Sequence, residues 1–153
     1  MILKSEKIIK EWTDYNGHMN LAFYIHIFDN AADIMLDRFK MGGESAKTDK
    51  KSTFVVETHT TYVQELRIDE EVDVHLYHLD HDKKRIHYKL SMFNKKKKYL
   101  AATTEVLSLY IDLKQRKVTE FEEEKIKIMD DFIRSYSSTF NSDKLFFSNK
   151  LKK

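Results

Sequence analysis

The chain contains no cysteine, no proline and only three glycines. Without cysteine it can form no disulfide, no thiolate metal site and no cysteine nucleophile. Without proline, its turns fall to Gly, Asn, Asp and Lys. No apolar run approaches the roughly 20 residues that span a bilayer. The opening residues, Met1 to Glu6, lack the apolar core of a signal peptide. A soluble, cytoplasmic protein is therefore expected, with no membrane partner. An excess of one charge is missing too: 27 basic against 25 acidic residues leave +2, too little to argue for nucleic-acid binding. What remains is a chain of 153 residues, 41% apolar and 34% charged. That suits one domain with a sizeable core and a well-solvated surface.

The pattern along the chain changes period once. Residues 4–13 read as a strand carrying Ile8, Ile9 and Trp12, followed by a loop over 14–20. From Asn20 to Lys40 the spacing is helical. Leu21, Tyr24, Ile25, Ile27, Phe28, Ala31, Ala32, Met35, Leu36 and Phe39 form a broad apolar face, and His26, Asp29, Asn30, Asp33, Asp37 and Lys40 a narrow polar stripe. Asn20 is the expected N-cap, and Gly42-Gly43 the expected stop. The polar, lysine-rich residues 44–52 read as a loop. After that the period falls to 2. Strands are expected over 53–65, 71–81, 85–93 and 98–112, with turns at 94–97 and 114–116 and a short strand at 117–119. On the third of these strands Ile86, Tyr88, Leu90 and Met92 share the inner face, which turns His87 toward solvent or a subunit interface. A helix near 122–136 presents Ile126, Met129, Phe132 and Ile133. The domain is expected over 1–136, with 137–153 a basic tail whose Leu145, Phe146 and Phe147 suit docking on the core or on a partner chain. The fold class is α+β, with one antiparallel sheet against one long buried helix.

The loop Asp14-Tyr15-Asn16-Gly17-His18-Met19-Asn20 concentrates chemistry. It sets a carboxylate, a glycine turn, an imidazole and an amide just before a helix. The first N–H groups of that helix, at Asn20 and Leu21, have no partner within it. Backbone amides at a helix N-terminus stabilise an oxyanion, aided by the dipole. A carboxylate beside them can attack a carbonyl or activate a water. Gly17 lets the chain turn sharply and a ligand approach the backbone. The bland reading is a cap or turn aspartate. His18 suits either an orienting hydrogen bond or proton transfer, and Asn20 suits N-capping better than ligand contact, with both roles compatible.

This string resembles the D-x-x-G-H-x-N signature of the hotdog-fold thioesterases related to 4-hydroxybenzoyl-CoA thioesterase. With residues 57–66 (ETHTTYVQEL), 79–87 (LDHDKKRIH) and 101–105 (AATTE), it is similar to the thioesterases associated with L-carnitine dehydrogenase, over roughly residues 5–130. The resemblance implies a hotdog fold, one antiparallel sheet wrapped around the long helix. It also implies acyl-CoA hydrolysis with no cofactor beyond the CoA of the substrate, betainyl-CoA as the candidate thioester, and a functional link to a carnitine dehydrogenase. Asp14, His18 and Asn20 become the candidate catalytic set, with the Asn20 and Leu21 amides as the oxyanion hole. One departure stands out: many relatives carry an acidic residue where this chain has Trp12.

A trimethylammonium group donates no N–H hydrogen bond and is recognised by aromatic faces and carboxylates. Trp12, Tyr15, Phe23 and Tyr24 crowd the loop, and Gly17 gives access. Glu57 and His59 lie two apart on a strand, sharing a face with Val55 and Thr61. The sharp expectation is Glu57 facing the ammonium with Trp12 or Tyr15 as a cation–π wall. The plain one is Glu57 paired with His59 or a lysine, and Trp12 in the core. For CoA phosphates, Lys83-Lys84-Arg85 is preferred over Lys95 to Lys98. His75, His78 and His81 recur every third residue of a strand and so share no face, and no metal site is expected. A single sheet around one helix leaves free edges, and the resemblance implies pairing into a homodimer or homotetramer, with Asp14 of one chain working beside Glu57 or His59 of the other. The competing functions are an acyl-carrier-protein thioesterase and a non-catalytic acyl-CoA-binding hotdog protein.

Overall fold

The computed structural model describes residues 1–153. Strand β1 (Ile2–Lys7) leads through a single 3-10 turn at Lys10–Trp12 to helix α1 (Leu21–Arg38), then α2 (Gly43–Asp49). Strands β2 (Lys51–Tyr62), β3 (Glu71–His81), β4 (Arg85–Asn94), β5 (Leu100–Asp112) and β6 (Lys117–Val118) follow, and α3 (Glu123–Tyr136) ends the regular structure apart from a 3-10 turn at Ser137–Thr139. The sheet is antiparallel in the order β1-β3-β4-β5-β2, with β6 on β5. It curls around α1 in the hotdog arrangement. No helix is long and apolar enough to cross a membrane.

The burial of α1 follows its spacing. Tyr24, Ile27, Phe28, Ala31, Ala32, Met35 and Leu36 are buried, an i, i+3, i+4, i+7 stripe. They meet Val72, Val74 and Leu76 of β3, Ile86, Tyr88, Leu90 and Met92 of β4, and Ala102, Val106 and Tyr110 of β5 in one core. Two residues of the expected apolar face, Leu21 and Ile25, are exposed instead (62% and 40%). They lie on the side of α1 that faces the free edge of the sheet.

Five expectations are corrected. The first strand stops at Lys7 rather than running to Thr13, because residues 10–12 must turn to deliver the loop to the helix. The stop of α1 is Lys40, held left-handed at φ 57°, and not the glycine pair; Gly42 instead precedes α2 as its N-cap. The lysine-rich loop is largely that helix, with Glu44 2.8 Å from Lys47 one turn on. A bulge between Leu76 and His78 shifts the alternation, so His75 and His78 face the same way, away from α1. His87 is 2% exposed, because the tail covers it. The tail crosses the outer face of the sheet: Asn141 N–H donates to the Tyr77 carbonyl, and Phe147 is 1% exposed.

Candidate active site

The loop before α1 is tied at both ends. Thr13 and Met19 form an isolated antiparallel bridge. Met19 N–H donates to the Leu66 carbonyl (2.7 Å) and Asn20 N–H to that of Trp12 (2.9 Å). Gly17, at φ 78°, makes the reversal that a side chain would resist. Its N–H donates to the Asp14 carbonyl at 3.0 Å.

These constraints hold the Asp14 carboxylate in one place. The Asn16 amide donates to Oδ1 (2.8 Å) and Asn20 Nδ2 to Oδ2 (3.1 Å). The Asn16 hydrogen bond, with smaller help from Asn20 and His18, holds the carboxyl below its ordinary range. Asn20 faces the other way as well, since its Oδ1 accepts from Ala22 N at 3.0 Å and caps α1. The Asn20 backbone amide is spent on Trp12, so it is not free for an oxyanion. Leu21 supplies the first amide of the helix.

His18 lies 3.0 Å through Nδ1 from the Met19 carbonyl. Since a carbonyl only accepts, Nδ1 carries the proton there. His18, Leu21, Tyr24, Tyr62 and Gln64 line a cleft of about 200 Å³ beside the loop. Tyr24 is buried, its hydroxyl accepts from Leu66 N (3.1 Å), and burial pushes its pKa up to about 12. Trp12 stacks on Phe23 at 5.7 Å and meets His26 edge-on at 5.9 Å. Tyr15 stands 98% exposed.

Other expected groups lie elsewhere in the chain. A bulge between Val55 and Glu57 puts Val55 with Thr58 on the α1 side, and Glu57 with His59 on the outer face. There Glu57 pairs with Lys150 (3.3 Å) and His59 stacks on Phe146 at 4.2 Å. Neither meets Asp14 of the same chain. Lys83, Lys84 and Arg85 lie at the other end of the sheet: Arg85 aligns through Leu109 with Phe54 at the start of β2, whereas the loop bonds to Leu66, beyond its end. Eight strand residues separate the two, roughly 26 Å. Arg85 is already engaged by Asp82 (2.8 Å). The Lys95–Lys97 turn does lie at the Asp14 end, but Lys95 and Lys97 pair with Glu71 and Glu70.

The sequence reading assigned no role to a groove of about 450 Å³ between α1 and the sheet. Ala22, Ile25, Phe28 and Asp29 of α1 face Val55 and Thr58 of β2 across it, with Tyr88 at its floor. Asp29, Asp33 and Asp37 follow one another every fourth residue, and none has an ion-pair partner. Burial, then Asp29 and Asp37, push the Asp33 carboxyl above its ordinary value. An uncompensated i, i+4 acidic run was the readable signal.

A family model described as the thioesterase-like superfamily matches residues 9–132. The chain is 28% identical over 117 residues to a betainyl-CoA thioesterase of Pseudomonas aeruginosa, covering 76% of this chain and 74% of that protein. It is 30% identical over 116 residues to an L-carnitine dehydrogenase/betainyl-CoA thioesterase of Rhizobium meliloti; that match covers 75% of this chain but only 23% of the longer protein. Its fold superposes on a Staphylococcus aureus protein solved in complex with CoA, with TM-score 0.81 and 26% identity, covering 93% of this chain and 87% of the other.

Proposed function

We propose that this chain, which belongs to the thioesterase-like superfamily, hydrolyses a small cationic acyl-CoA thioester of the betainyl type at the Asp14 loop. Membership makes it a thioester hydrolase; the proposal concerns the residues and the substrate. The observation that carries the mechanism is the doubly hydrogen-bonded, anionic Asp14 beside the first amide of α1. The thioester oxygen accepts from the Leu21 N–H as charge builds on it. Asp14 either attacks the carbonyl carbon or takes a proton from the water that does. The C–S bond then breaks, and the CoA sulfur leaves with the proton given up by the attacking water; where Asp14 attacks directly, the sulfur leaves as thiolate, water opens the acyl–aspartyl anhydride, and its proton goes to the thiolate.

The acidic run on α1 supports the cationic acyl group. Asp29 is exposed at the rim of an apolar groove and has no counter-charge, the combination a trimethylammonium group needs. Glu57, held by Lys150 on the opposite face, is the weaker candidate. Asp29 lies nine residues beyond Asn20, about 14 Å along the helix axis, too far for a two-carbon acyl group held at the same chain's Leu21. A homodimer joined along the free edge of β2 removes that obstacle by setting one chain's loop against its partner's groove. The exposed Phe54, Val55, Val56, Tyr62 and Val63 on that edge support it. The bifunctional relatives support a functional link to carnitine oxidation.

The test is thiol release from betainyl-CoA, a short neutral acyl-CoA, a long-chain acyl-CoA and an aromatic acyl-CoA. Betainyl-CoA is expected to be preferred. Asp14→Asn is expected to lose at least about 100-fold in kcat, with the fold intact. Equal rates on all four substrates would discard the cationic pocket and keep Asp14. No release by folded protein would favour a binding role.

A further inference from the structure

The outer face of the sheet holds a buried titratable cluster that hydrolysis does not use. Glu105 of β5 is 1% exposed, yet the sheet alone does not bury it. The tail does. Phe146 and Phe147 each donate a backbone N–H to its carboxylate at 2.7 Å, and His87 Nε2 lies 2.8 Å away. The Phe147 ring closes edge-on over the His87 imidazole, centroids 6.1 Å apart. A second anchor is the Lys152 N–H, which donates to Asp82 Oδ2 at 2.8 Å. The segment 140–153 is thus a strap whose backbone amides are held by two carboxylates, Glu105 and Asp82.

Under this strap two imidazoles face each other. The rings of His78 and His87 have centroids 5.2 Å apart, and Phe140 covers His78 from the tail side. His78 Nδ1 is buried with no hydrogen-bond partner. His87 has the Glu105 carboxylate beside it. A proton on His78 would have no such counter-charge in contact with it. The charged groups facing His78 are Asp80 of β3, His87 and Lys89 of β4, Glu105 of β5 and Lys153 of the strap. Glu105 is committed to His87 and the two amides, and Asp80 to Lys153 at 2.6 Å.

We propose that the strap is an acid-released latch, docked while His78 is neutral and freed when His78 takes up a proton. Burial, then the neighbouring His87, holds His78 below its ordinary value in the docked state. A docked pKa below the free one makes docking strongest above the free histidine value. Docking then weakens as pH falls through it, by up to about tenfold per pH unit for one proton. Glu105, whose carboxyl the tail also lowers, releases its hold only in stronger acid. The latch bears on β2 through Lys150 on Glu57 and Phe146 on His59, so release frees the back of the edge strand. It does not rest on the proposed hydrolysis.

The test is amide hydrogen exchange of residues 140–153 in the full chain from about pH 7.5 to about pH 5.5, spanning the histidine range and corrected for intrinsic exchange rates. The Phe146 and Phe147 amides are expected to lose about tenfold or more of their protection over this range, while core amides of β4 and β5 keep theirs. In His78→Gln the strap is expected to stay docked with its pH dependence flattened. The imidazole titrations read by NMR give an independent check, with the Phe147 amide shift following the His78 curve. Protection that does not change with pH, a pH dependence that persists in His78→Gln, or a Phe147 amide blind to His78 would each overturn the latch.

Discussion

The Asn20 side chain works in two directions. Its carbonyl oxygen caps α1 and its amide nitrogen steadies Asp14, and two substitutions separate these roles. Asn20→Ala loses both: about 1 kcal/mol of stability from the cap, and a donor that keeps the Asp14 carboxyl low. The pKa of Asp14 then rises, and the acid limb of kcat/KM against pH moves to higher pH. Asn20→Asp keeps a good cap but sets a second carboxylate against the first. Its melting temperature should recover while the acid limb moves further still. A melt and a pH–rate profile of each variant check this; unshifted acid limbs in both would remove Asp14 as the titrating group. Much of the loop was legible because its residues have narrow uses. Gly17 stands at positive φ, Asn20 caps, and Asp14 precedes the first amide of α1 at Leu21. The Asn20 backbone amide was misjudged because no pattern shows that Trp12 claims it.

At the scale of elements, charge fastens α3 and α2 to the sheet. Lys125 is 4% exposed. It reaches Asp49 at the end of α2 (3.0 Å) and Glu122 just before α3 (3.1 Å), and lies 5.6 Å from the ring centre of Tyr110 on β5. Glu122 also accepts from Lys51 (2.5 Å) and the Tyr110 hydroxyl (2.9 Å). Despite its partial burial, the hydrogen bonds from Lys51, Tyr110 and Lys125 hold Glu122 down at about 2. A depressed carboxyl stabilises the fold above its ordinary pKa, near 4.5, and loses that contribution as pH falls toward 2. Glu122→Gln should therefore unfold earlier at neutral pH and show a shallower loss of stability between those limits, read from denaturant melts across pH. Lys125→Met should cost about 1–3 kcal/mol, below the usual loss for a broken buried pair because its carboxylates are partly solvated. Elements with strong periodicity were readable: α1, β3, β4 and α3 lie close to where their apolar spacing puts them. α2 was not, since a seven-residue helix with one alanine for an apolar side has no stripe to read. The docked tail was not either, because what holds it is a carboxylate on β5 meeting backbone amides 41 and 42 residues later.

At the scale of the whole molecule, the proposed use of Asp14 and Asp29 on one small substrate makes a geometric demand. The helix sets them too far apart within a chain, and the apolar, unpaired edge of β2 invites a second copy. A two-fold pairing along β2 runs the edge strands antiparallel, which brings the start of one strand, with Val55 and Thr58 in its groove, toward the end of the other, where the Asp14 loop is tied. The same pairing would place the partner's Lys83–Arg85 turn nearer the loop than the chain's own. Shared sites make a specific demand on mixed dimers. Asp14→Asn alone and Asp29→Asn alone should each be impaired on betainyl-CoA. Unfolded together and refolded as a mixture, they should regain about a quarter of the native rate, because half the dimers are mixed and one of their two sites is then wholly native. If each site were built from a single chain, no assortment would restore one and the mixture would stay at the mean of the two variants. A light-scattering mass at twice the chain's 18.3 kDa, lost together with activity on Val56→Lys, would tie the regained rate to the β2 edge. Loss of activity in a variant that keeps the dimer mass would instead place Val56 in the groove wall.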